Sequence, residues 1–128
     1  MENMTPPASS GKERRKFKRV DVRLKASYLV KDEMATYEIP AVDISVGGAR
    51  LLFNKITKQG TKVRLTIAVG DDEGTIVCGG RVAWQDLRPV KGENGKYYYD
   101  TGVEFEELRL KDRTRLFYYC LNRNRKKT

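Results

Sequence analysis

Six short runs read as strands, the clearest of them alternating apolar and polar side chains, and only the last stretch of the chain changes to a helical period. A period of two turns one face of a strand inward and the other to water. Residues 61–69 give the clearest run, with Val63, Leu65, Ile67 and Val69 on one face. In residues 22–30, Val22, Leu24, Ala26 and Tyr28 alternate with Arg23, Lys25 and Ser27. The other runs are 36–44, 49–53, 75–84 and 96–105. Pro40 in the second run argues for an edge position or a bulge. Gly79-Gly80 in the fifth suggests a bulge or a sharp bend. Residues 70–74 read as an acidic hairpin turn, and 86–95 as a polar loop. From Leu110 to Leu121, Thr114, Phe117 and Leu121 recur at helical spacing, with Leu110 leading in and Leu116 and Cys120 widening the stripe. Asp112 near the start and Arg123 near the end suit the helix dipole. Strands that do not alternate with helices exclude a βαβ fold. The pattern predicts an all-β domain, a small antiparallel barrel or tightly curled sheet with one C-terminal helix against it.

With 128 residues, a single domain is expected. Residues 1–12 read as a flexible tail, 13–121 as the folded domain with its N-terminal arm, and 122–128 as a basic tail that frays. The chain has no histidine, which removes the usual zinc ligand and the commonest neutral-pH acid–base group. Cys78 and Cys120 form no metal or redox motif and read as buried thiols. Ser45 has no evident base to activate it, and Asp71, Asp72 and Glu73 are ordinary solvated carboxylates of a turn. No catalytic residue, metal site or cofactor is expected. No apolar run is long enough to span a bilayer and no signal-peptide core is present, so a cytoplasmic location is the expectation.

Charge is unevenly placed. Residues 1–30 carry eight Lys/Arg against three Asp/Glu, 31–110 eleven against thirteen, and 111–128 seven against one, within a net charge of +9. A nearly balanced body with two positive ends suits a localised anionic ligand better than long nucleic acid.

Two stretches could hold such a ligand. Asp43-Ile44-Ser45-Val46-Gly47-Gly48 puts a carboxylate, a hydroxyl and two glycines into one tight reversal. Glycine there permits unusual backbone angles and lets a ligand approach the main chain. Two carboxylate oxygens side by side match the adjacent donors on guanine's Watson–Crick edge, and Ser45 adds one further bond. Upstream, Arg14-Arg15-Lys16-Phe17-Lys18-Arg19 supplies guanidinium forks that fit phosphate and stack on bases. The alternative is a solvated basic tail and a plain turn. Arg81 and Trp84 are three apart, so a regular strand puts them on opposite faces. Trp84 could wall a pocket or close the barrel end against the helix; the wall is the preferred reading.

At these residues the chain resembles the PilZ domain family, bacterial receptors for cyclic di-GMP. Arg15 to Arg19 matches the family's Arg-x-x-x-Arg motif, and Asp43 to Gly48 its Asp/Asn-x-Ser-x-x-Gly motif, in the family's order. Gly80-Arg81-Val82-Ala83-Trp84 and Gly102-Val103-Glu104-Phe105 match further signatures. The resemblance implies a six-stranded antiparallel β-barrel with a C-terminal helix and a flexible N-terminal arm that folds over the ligand. It implies cyclic di-GMP contacts from Arg15, Arg19, Asp43, Ser45 and Gly48, with Trp84 beside them and Lys18, Gly47 and Arg81 as secondary candidates. Arg14, immediately before the first motif arginine, implies two intercalated ligand molecules instead of one. Such a chain acts as a non-enzymatic adaptor that orders its arm on binding and signals to an effector protein, in motility or biofilm control by family analogy. The alternatives are a nucleic-acid-binding small barrel, favoured by charge and tyrosines, and a protein-interaction domain independent of nucleotide.

Overall fold

The structure is a computed structural model and describes residues 20–69 and 74–127. Arg14, Arg15, Lys18 and Arg19 therefore lie outside the described residues, as do residues 70–73, where the acidic hairpin turn is expected. The strands are β1 (Val20–Val30), β2 (Thr36–Ile44), β3 (Gly48–Phe53), β4 (Lys62–Ala68), β5 (Thr75–Gln85), β6 (Val90–Lys91) and β7 (Tyr97–Glu107), followed by helix α1 (Leu110–Lys127). All pairings are antiparallel. Six strands close in the order β1-β2-β3-β7-β5-β4, with the β3–β7 ladder as the seam. This is the six-stranded barrel with one C-terminal helix that the alternation and the family resemblance predict. β6 lies in what reads as a polar loop; it pairs only with Tyr97 and Tyr98 and prolongs the β5–β7 hairpin past the barrel.

The interior is filled by the alternating residues. Tyr28, Ile39, Ala41, Ile44, Leu51, Phe53, Val63, Leu65, Ile67, Ile76 and Val82 are all buried. Tyr28 stacks on Phe53 with ring centroids 3.9 Å apart, and its hydroxyl donates to Asn54 Oδ1 at 2.5 Å. Loop 54–61 is pinned across this end by Gln85, which accepts from Thr57 N–H at 2.7 Å and donates to Thr101 Oγ1 at 3.0 Å. Pro40 sits in β2 shortly before a bulge, where the register with β3 slips between Ala41 and Asp43. The β5–β7 register slips at Gly79/Gly80, as the glycine pair suggests.

The helix lies across the opposite end, where β1 starts and β2 stops, but not on the face that the apolar spacing predicts. Asp112, Leu116, Tyr119 and Cys120 face the barrel and are buried. Leu110, Phe117 and Leu121 are 78%, 50% and 37% exposed, and Thr114 is exposed too. α1 carries two apolar stripes, and the one that the barrel accepts is disguised in sequence by the carboxylate of Asp112. That carboxylate is fully buried within 3.5 Å of both Arg109 and Arg115. The helix also continues to Lys127, past the expected Leu121.

Both cysteines are buried free thiols. Burial pushes the Cys78 thiol up to about 12 and that of Cys120 up to about 11, so neither is a ready nucleophile. Among the described residues no His/Cys/Asp/Glu group is placed to hold a metal ion, and no helix is long and apolar enough to cross a membrane.

Candidate ligand site

The turn between β2 and β3 builds the site from within. Ser45 N–H donates to Gly48 O at 2.9 Å, and Gly47 N–H donates to Ser45 Oγ at 3.2 Å. Ser45 is buried and its hydroxyl also lies 3.4 Å from Gly48 O. Its first task is thus to hold the turn, the local side-chain-to-backbone bonding that serine favours in reversals. Phe105 N–H donates to Gly47 O at 3.0 Å, and Cys120 Sγ–H reaches Ile44 O at 3.7 Å. The turn is therefore clamped by β7 on one side and α1 on the other.

Gly48 is needed for space and not for a left-handed backbone. Positive φ among the described glycines occurs at Gly60, Gly74 and Gly95. A Cβ on Gly48 would sit 2.4 Å from Val103 O, inside the β3–β7 seam.

Asp43 lies on the outer face although it is buried. The β2 bulge lets both Val42 and Asp43 turn outward while Ile44 returns to the core. Across the ladders Asp43 pairs with Arg50, Arg50 with Gly102, and Gly102 with Trp84. These residues form one row over β2, β3, β7 and β5, about 14 Å long at a strand spacing of about 4.8 Å. Gly102 has no side chain on the row, and the Trp84 indole lies over it; a Cβ there would clash with the ring. Trp84 is 43% exposed and does not close the barrel against the helix.

Arg81 shares the exposed face with Trp84, against the expectation from their spacing. The register slip between Val82 and Trp84 is the reason: one extra residue re-phases the strand, so Trp84 stays outside and Gln85 turns to Thr101. The Arg81 guanidinium pairs with Glu104, and its Nε lies 3.3 Å from Glu106.

Sequence reading missed Arg50 and Asp100. Arg50 Nη1 lies 3.8 Å from Asp43 and its Nε 3.0 Å from Asp100. Burial raises the Asp100 carboxyl above its usual range, and the Arg50 charge opposes that shift. The available signal was that Arg50 is the only charge in the otherwise apolar Gly48–Phe53 strand. Beside this network runs a groove of roughly 730 Å³ whose walls include Arg23, Val42, Arg50, Asp100, Tyr119 and Arg123. Arg123 stacks over the Tyr119 ring at 5.9 Å, so the helix contributes a cation to the groove.

The PilZ domain family model matches residues 13–122. The chain belongs to the PilZ family. PilZ domains are non-catalytic receptors and adaptors for cyclic di-GMP. Among solved structures, the Bacillus subtilis inhibitor of motility, MotI/DgrA, aligns with a TM-score of 0.71 at 21% identity over 90% of this chain and 53% of that one. The PilZ domain of Escherichia coli YcgR with c-di-GMP aligns at 0.66 and 15%, over 89% and 96%. The K. pneumonia MrkH–c-di-GMP complex aligns at 0.66 and 19%, over 90% and 56%. These likenesses establish the PilZ fold. The chain spans about half the length of MotI/DgrA and of MrkH. No curated protein sequence matches it.

Proposed function

We propose that this chain is a cyclic di-GMP receptor that takes its ligand on the outer face of β2, β3 and β7. The observation that supports it best is the row Asp43–Arg50–Gly102–Trp84, which puts an acceptor, a cation and a half-exposed indole on one face beside a groove. Asp43 accepts from a guanine edge, and Trp84 flanks a base. Ser45 and Gly48, with Gly47, keep the turn in the shape that presents Asp43. Arg15 and Arg19, helped by Lys18, grip phosphates and stack on guanines, closing the N-terminal stretch over the barrel. Arg14 serves a second, intercalated ligand, so two molecules bind per chain. Arg81, engaged by two carboxylates, borders the site. Binding changes the surface offered to an effector protein.

Calorimetric titration with cyclic di-GMP tests this, with GTP and a single-stranded oligonucleotide as controls. Binding at micromolar or tighter affinity, with a stoichiometry near two, is expected. Each charge-assisted bond contributes about 1.5–3 kcal/mol, so Arg15→Ala/Arg19→Ala should weaken binding by at least about 100-fold. Saturation at one nucleotide per chain would remove the role given to Arg14. Tighter binding of the oligonucleotide would favour a nucleic-acid barrel instead. Trp84 is the single tryptophan, so its fluorescence should change along the same isotherm. An unresponsive signal would place the ligand away from the indole.

A further inference from the structure

The helix face that the barrel leaves unused has the make-up of a docking surface. Leu110, Thr114, Phe117 and Leu121 recur at spacings of four, three and four along α1, a stripe about 16 Å long, and all are exposed. Tyr118 widens it and meets Phe117 edge-on with centroids 5.5 Å apart. The stripe is not flat. Phe117, Tyr118, Thr114 and Arg113 enclose a hollow of roughly 330 Å³ against Val46, the central residue of the β2–β3 turn. Lys111 and Arg113, which flank the stripe, are exposed cations. The one carboxylate of the helix, Asp112, is buried on the opposite side.

We infer that this face binds an acidic amphipathic helix of a partner protein, one that lays its own apolar stripe along α1 with carboxylates facing Lys111 and Arg113. Apolar anchors at helical spacing are how a helix is read, and the charge around them selects the partner. A second copy of this chain would set cations against cations. A membrane surface is flat, whereas the hollow beside Val46 receives a protruding side chain. A partner seated there touches the turn that carries Asp43 and Ser45, which is where a ligand-dependent signal would be passed on. The surface itself does not depend on the nucleotide reading.

The test uses two synthetic helical peptides matched to the length of α1, with one leucine stripe flanked by glutamates in the first and lysines in the second. Fluorescence anisotropy with the whole protein should show saturable binding of the glutamate peptide, weakened by salt, and at least about tenfold weaker binding of the lysine peptide. Phe117→Glu should lose the glutamate peptide by about tenfold or more while its cyclic di-GMP isotherm stays unchanged. Arg113→Glu should shift preference toward the lysine peptide, a gain that misfolding cannot mimic. Equal binding of both peptides, or of neither, would overturn the inference. So would Phe117-dependent self-association in sedimentation velocity, which assigns the face to a second copy. Phe117-dependent binding to phosphatidylglycerol vesicles in preference to the glutamate peptide would assign it to a membrane.

Discussion

Gly48→Ala is expected to lower the melting temperature by roughly 10 °C. The new Cβ would lie 2.4 Å from Val103 O and 3.3 Å from Glu104 Cα, both backbone atoms of the facing strand. Neither can withdraw without opening the β3–β7 ladder, which runs from Gly48↔Glu104 to Phe53↔Tyr99 and closes the barrel. Overpacking of this kind costs about 3 kcal/mol, and about 3–4 °C is lost per kcal/mol in a domain of this size. Ligand affinity should fall with it, because Gly48 O is the acceptor for Ser45 N–H. A circular-dichroism melt within about 2 °C of the unsubstituted chain would show that the seam yields and that the glycine serves the ligand alone.

Arg50→Ala is expected to weaken cyclic di-GMP binding by about 10–30-fold, some 1.4–2 kcal/mol, while costing only a few degrees of melting temperature. Arg50 is shared by Asp43 and Asp100. Its side chain is 41% exposed, so solvent screens much of its contribution to folding. In the proposed site its larger role is to hold the Asp43 carboxylate, 3.8 Å away, in register on the outer face. The pH dependence separates this role from simple packing. The Asp100 carboxyl is already raised by burial, with Arg50 opposing the shift, so removing Arg50 raises it further. A carboxyl raised in the folded state binds more protons there than in the unfolded chain, and stability is lost as pH rises through its folded value. The melting deficit of Arg50→Ala should therefore be largest near neutral pH and close as pH falls through the carboxylate range. Arg50→Lys, which keeps the charge without the planar fork, should recover the melting temperature more fully than the affinity. A deficit independent of pH, or an isotherm unchanged in Arg50→Ala, would exclude the positioning role.

Local pattern made most of the barrel legible. The inward residues Ala26 and Tyr28 of β1 and Val63, Leu65 and Ile67 of β4 follow from a period of two, because each strand has one dry face and its neighbours are hydrogen-bonded whatever their side chains. The motif turn was legible as well, since Asp43, Ser45 and Gly48 act within six residues of one another. Reading failed where a long-range partner decides. The Val82–Trp84 bulge re-phases β5 only because β7 pairs with it that way, so Arg81 and Trp84 share a face that spacing denies them. Arg50 looked like one charge in an apolar strand until β2 and β7 brought Asp43 and Asp100 to either side of it.

The C-terminal helix draws the same line. Sequence by itself determined that Leu110–Leu121 is helical, that the six strands of the barrel precede it, and that Asp43 to Gly48 make a polar turn, because each depends on residues close in the chain. Only the tertiary structure decided which of two apolar stripes on α1 is buried. The barrel end accepts Leu116, Tyr119 and Cys120 together with a carboxylate that Arg109 and Arg115 neutralise, and it leaves Phe117 and Leu121 outside. Helical periodicity reports that a face is apolar; what covers that face is set by the shape and charge of elements far away in sequence.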